Sequence, residues 1–166
     1  MRLLPIAALL AAVAVTASHA QTAPTIQSVS VQGTTFHITL SDGSILPRER
    51  QAGVTLAIGD GSTRRRRIRI DAAEPDPKDP SGEITLYTLS EQRTPDGPWE
   101  NICLPDAAGR RVGFPLAGSF APDMRHIDNP GQFLITCAAG AEGKCVRFGY
   151  KPWGKAANGT PLAPYY

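Results

Sequence analysis

Ile26-Gln27-Ser28-Val29-Ser30-Val31-Gln32-Gly33-Thr34-Thr35-Phe36-His37-Ile38-Thr39-Leu40 is the stretch on which the fold turns. Ile26, Ser28 and Ser30 fall on one face and Gln27, Val29 and Val31 on the other, the period-two alternation of a strand. A second run, 36–40, follows Gly33 and is closed by Ser41-Asp42-Gly43-Ser44. Two short apolar-alternating runs separated by turn residues read as a β-hairpin. The same grammar continues outward. Residues 54–58 form a strand closed by Gly59-Asp60-Gly61, and 66–70 alternate basic with apolar side chains, as a strand with one wet face would. Residues 83–91, 99–104, 112–120 and 132–137 are further strands, with a turn at Thr94-Pro95-Asp96-Gly97-Pro98 between the first two. The segment 72–82 carries Pro75, Pro77 and Pro80 among charges and reads as a loop.

One stretch has a different period. Ala141, Cys145 and Phe148 recur at helical spacing, Gly149 sits where a last turn would end, and Pro152 lies just beyond. The fold class that follows is a β-rich α+β domain: an antiparallel sheet, or a small sandwich or barrel, with one short C-terminal helix. With 15 Pro and 16 Gly in 166 residues, short strands and many turns are favoured over long helices.

The amino terminus predicts export. Arg2 supplies a positive start, residues 3–15 are apolar and uncharged, and Ser18-His19-Ala20 puts small residues at the two positions a signal peptidase reads. The apolar run is shorter than the ~20 residues that cross a hydrocarbon core. No lipoprotein cysteine follows it, and no later stretch qualifies as a transmembrane anchor. The expected organisation is a signal peptide at 1–20, N-terminal strands at 21–66, and a C-terminal region at 67–166 within the same domain. The expected location is secreted or periplasmic. Removing twenty residues leaves 146, enough for one hydrophobic core. The mature balance is 16 Lys plus Arg against 15 Asp plus Glu, which gives no global pull toward nucleic acid or acidic membranes.

Three function classes compete. Cys103, Cys137 and Cys145 are disulfide candidates in an oxidising compartment, and their odd number leaves one over. Cys137 and Cys145 bracket one strand-to-helix turn and are expected to lie close, bonded to each other or to different partners. A thiol enzyme would use Cys145 or Cys137 with His126, near Asp123 and Asp128, but no third group stands in a recognisable catalytic pattern. The basic run Arg64, Arg65, Arg66, Arg67 and Arg69 could bind an anionic envelope polymer, or simply keep an edge strand soluble. Metal-ligand spacings and Gly-rich phosphate loops are absent, so no metal and no cofactor is expected. A non-catalytic envelope or secreted module, with a binding or structural role toward a protein or polymer, fits best.

The carboxyl-terminal residues carry a resemblance. A strand ending in Cys137 leads through Ala138-Ala139-Gly140-Ala141 to Lys144-Cys145 and then Gly149-Tyr150-Lys151-Pro152-Trp153. Together with Arg67-Ile68-Arg69-Ile70-Asp71-Ala72, Leu86-Tyr87-Thr88-Leu89-Ser90, Trp99 with Cys103, and Pro115-Leu116-Ala117-Gly118, this resembles the bacterial ADYC-domain family. The resemblance implies an exported bacterial domain of uncharacterised activity. The Ala-Asp-Tyr-Cys tetrapeptide itself is not in this chain, so the sequence is expected to be a shortened form that ends before that motif.

Overall fold

The computed structural model describes residues 23–59, 65–123, 125–129, 131–155 and 157–160. The expected signal peptide, Arg64 and the last six residues lie outside them. The expected hairpin is formed by β1 (Ile26–Gln32) and β2 (Thr35–Leu40), paired antiparallel from Gln32↔Thr35 outward. The two-residue connection needs Gly33, whose φ of 58° favours glycine. Thr34 follows it and is completely buried. Its hydroxyl donates to the Glu83 carbonyl at 3.3 Å and accepts the Thr85 N–H at 2.8 Å, which ties the turn to the main sheet.

That sheet has six strands: β3 (Thr55–Gly59), β4 (Arg65–Pro75), β5 (Thr85–Gln92), β6 (Trp99–Asn101), β7 (Gly113–Ala117) and β10 (Phe133–Cys137). The order is β10-β7-β5-β4-β3, with β6 also paired to β5, and every pairing is antiparallel. A two-stranded ribbon of β8 (Ser119–Phe120) and β9 (His126–Ile127) sits between β7 and β10 in the chain. The short α1 (Ala141–Arg147) follows β10. Among the described residues the sheets are open, and no barrel closes.

Local chemistry explains an irregularity in the pairing. Gly118 N–H bonds the Gln132 carbonyl, and Ala138 N–H bonds the Val112 carbonyl. This parity makes Leu116↔Leu134 and Phe114↔Thr136 the hydrogen-bonded pairs between β7 and β10. Pro115 therefore faces β5 with no N–H to give, and β7 pairs with β5 only at Gly113↔Tyr87.

Two expectations are corrected. The segment read as a loop from 72 is strand as far as Pro75, because Ala72, Ala73, Glu74 and Pro75 pair with Thr88, Tyr87, Leu86 and Thr85 after a register shift at Ile70/Ala72. Pro75 falls at the strand's last position, where a missing N–H costs least. The helix exists at 141–147, but the residues that recur at helical spacing do not form its buried face: Phe148 is 82 % exposed, whereas Gly143 and Val146 are buried. A Cβ on Gly143 would lie 2.1 Å from the Cys137 carbonyl oxygen. The helix thus docks by a backbone approach that only glycine permits.

The core lies between the hairpin and the sheet. Phe36 and Ile38 from β2 meet Ile70, Leu86, Tyr87 and Phe114 from the sheet, all at most 1 % exposed. Phe36 stands edge-on to Tyr87 and to Phe133, with centroids 5.0 and 5.6 Å away. The Tyr87 hydroxyl accepts the Phe36 N–H at 3.1 Å and donates to Gln51 Oε1 at 3.2 Å. The buried Gln51 amide in turn donates to the Phe36 and Leu46 carbonyls at 3.0 and 3.1 Å.

Burial pushes the Tyr87 phenol up to about 12. The folded state thus favours the neutral ring: its contribution is complete below the unfolded value near 10 and is lost as pH rises toward 12. Tyr87→Phe orphans the Phe36 N–H and Gln51 Oε1 and is expected to cost about 1–3 kcal/mol. A urea titration at neutral pH measures that loss. Repeated between pH 10 and 12, it should show a decline in the parent that the variant lacks; parallel declines in both proteins would contradict it.

Candidate functional site

A groove of about 830 Å³ is lined from three directions. Ile26, Gln27, Ser28 and Val29 come from β1; Thr55 to Gly59 and Arg65 from the β3–β4 hairpin; Gly118 to Phe120 and Gly131 to Leu134 from the β8 and β10 region. Both edge strands of the six-stranded sheet, β3 and β10, therefore open onto one groove.

The register shows which backbone groups face it. Ile70 N–H bonds the Val54 carbonyl and Gly53 N–H bonds the Ile70 carbonyl. Leu56↔Ile68 and Ile58↔Arg66 continue that parity as the hydrogen-bonded pairs with β4. Thr55, Ala57 and Gly59 then direct their N–H and C=O groups away from β4, and all three residues are exposed. An unpaired edge of this kind is a template for another strand. The groove's apolar side chains include Ile26, Val29, Ile58 and Phe133. Among the described residues its lining contains no Cys, His, Asp, Glu, Lys or Tyr, and Arg65 is the one charged group. Among the described residues, Arg65 makes no ion pair.

Among the described residues of the run, Arg66, Arg67 and Arg69 are occupied. Arg66 donates to both carboxylate oxygens of the buried Glu91, at 2.6 and 2.7 Å, and these bonds hold the Glu91 carboxyl below its usual range. Arg67 donates to Gln92 at 2.5 Å, and Arg69 bonds Asp71 at 2.5 Å. Arg67 and Arg69 also lie over the Trp99 ring, at 5.5 and 4.6 Å from its centroid. The strand alternation that made the run conspicuous sends Arg66 to the inner face and Arg67 and Arg69 to the outer one, where Gln92, Asp71 and Trp99 meet them.

The cysteines are also assigned. Cys103 and Cys137 form the disulfide, with Cα atoms 5.4 Å apart, and Cys145 is free and half-buried. The bridge joins the end of β6 to the end of β10, rather than closing the short interval from Cys137 to Cys145. Gly113 lies beside it: a Cβ there would stand 2.4 Å from the Thr136 carbonyl oxygen and 3.0 Å from the Cys103 sulfur. His126 Nε2 is 2.8 Å from the Ala117 carbonyl oxygen, and its ring packs on Phe120 at 5.3 Å. Among the described residues no hydrogen bond joins His126 to Cys145, and no group of three or more His, Cys, Asp and Glu is disposed to hold a metal.

The groove residues were missed at the level of sequence. Their signal was faint: 55–59 is a short strand without a charge of its own, which on an edge leaves the backbone unprotected.

Fold and groove define an open-sheeted β domain, bridged by one disulfide, with a groove bounded by strand edges. The chain belongs to the ADYC domain family, whose model matches residues 48–166. No curated protein and no solved structure matches it. No helix among the described residues is long and apolar enough to cross a membrane.

Proposed function

We propose that this ADYC-domain protein is an exported module that binds rather than catalyses, with the groove as its binding surface. The observation that carries this is the composition of the groove: about 830 Å³ bounded by strand edges, with no Asp, Glu, His, Lys or Cys among the described residues of its lining. A catalytic site needs a nucleophile or proton-transfer group against the reacting atoms. The Cys103–Cys137 bridge fits an oxidising compartment and agrees with the signal-like amino terminus. The thiol-enzyme alternative loses Cys137 to that bridge, and one ring nitrogen of His126, Nε2, to the Ala117 carbonyl. The anionic-polymer alternative retains Arg65, but the charges of Arg66 and Arg69 are met by carboxylates within the molecule.

Two assays test the reading. An alkaline phosphatase fused after the full chain should be active, since that reporter folds only outside the cytoplasm. A thiol-directed activity probe should label Cys145 at the same slow rate in the parent and in His126→Ala. Labelling that collapses in His126→Ala would replace binding with catalysis.

A further inference from the structure

Backbone hydrogen bonding distinguishes the kinds of molecule that could occupy the groove. An apolar slot with one arginine would serve an amphiphile with an anionic head, but the outward N–H and C=O groups of Thr55, Ala57 and Gly59 would then be covered without partners. Covering such groups unpaired costs about 1–3 kcal/mol each. An extended chain satisfies them, because its own N–H and C=O groups recur at the spacing of a strand. Five residues of β3 span roughly 16 Å, room for an incoming segment of about the same length.

We infer that the groove binds an extended polypeptide segment that pairs by its backbone with the free edge of β3 and brings a carboxylate to Arg65. This rests on the binding reading above and names its ligand class. Arg65 lies opposite Gly59, at the end of β3, and is the one charge among the described residues of the lining. A groove whose described lining carries a single cation, one that makes no ion pair among the described residues, selects a ligand with a single anion at a matching position. Leu56 and Ile58 point toward the core side of β3, with Leu56 buried. Side chains of the incoming strand that lie beside them should therefore be apolar, alternating with small or polar ones.

A phage-displayed random heptapeptide library, selected on the purified disulfide-bonded protein, supplies the probe. The expected winners alternate apolar with polar residues and carry Asp, Glu or a free C-terminus near one end. Amidating a synthetic winner separates a terminal carboxylate from an acidic side chain. Ala57→Pro removes only an outward N–H, since Ala57↔Arg67 is a non-hydrogen-bonded pair of the β3–β4 ladder. It should weaken the peptide at least ~10-fold by fluorescence anisotropy, and Arg65→Glu should do the same for the acidic peptide. Hydrogen exchange gives a test without substitutions: peptide binding should slow the Thr55 and Ala57 amides and leave Leu56 and Ile58 as they were. Equal affinity in Ala57→Pro, or no change in those two amides, overturns the proposal. So does Arg65-dependent binding of a fluorescent long-chain fatty acid with no enriched peptide, which would make the groove a lipid site. None of these outcomes touches Cys145 or His126, so the reading of a non-catalytic module stands or falls separately.

Discussion

Replacing Cys103 and Cys137 together with serine is expected to destabilise the protein by about 4 kcal/mol and lower its thermal midpoint by roughly 10–15 °C. The two residues are 34 positions apart, so the bridge closes a loop containing the β6–β7 connection, β7, the β8–β9 ribbon and β10. Opening it returns that loop's closure entropy to the unfolded chain, by an amount that grows slowly with loop length. The native side adds to the loss. Cys103 is 2 % exposed and packed against Gly113, so two polar hydroxyls would replace the sulfurs at a largely enclosed point. Cys145→Ser serves as the control and should melt within a few degrees of the parent. Mass spectrometry of the unreduced protein should find two hydrogens missing, with one alkylatable thiol per chain. Three alkylatable thiols, or a double-serine variant that melts like the parent, would show that the bridge does not form.

The strands could be read from sequence because alternation and turn chemistry are local. Each of 26–32, 36–40, 54–58 and 132–137 carries its own period and its own terminator, and the structure places a strand on each. What could not be read required knowing who stands beside whom. Three cysteines allow three pairings, and the choice is made by β10 lying against β7 close to the end of β6. The helix at 141–147 announced its existence by spacing, but its buried face is set by how near Gly143 comes to the Cys137 carbonyl. The arginine run looked like one feature. Register divides it: Glu91 on β5 receives Arg66, and Trp99 on β6 lies under Arg67 and Arg69. The groove is the extreme case, because strands from 26, 55 and 133 contribute to it and no local pattern marks a strand as an edge.

Arg147 makes the same point about charge, with a comparably large expected effect. Its Nε donates to Asp76 Oδ2 at 2.5 Å and a terminal nitrogen donates to Oδ1 at 3.1 Å. The Asp76 side chain is 1 % exposed and the Arg147 side chain 14 %. Asp106 stands 3.9 Å away on the other side, its carboxyl held below the usual range by the Arg110 backbone N–H. This fork fastens the last turn of α1 to the turn after β4, two elements 71 positions apart in the chain. Arg147→Met keeps most of the stem's packing but leaves the buried carboxylate, among the described residues, with only the Lys78 N–H as a partner. Removing one member of a buried pair costs about 3–5 kcal/mol, far more than the net value of the pair, because the survivor stays desolvated and uncompensated. Adding Asp76→Asn removes that charge while an amide oxygen still accepts from Lys78. The double variant is therefore expected to recover a substantial part of the loss, and urea titration of the four proteins in the cycle measures it. If the double variant is no more stable than Arg147→Met, the cost lies in lost packing of the helix and not in an orphaned charge at Asp76.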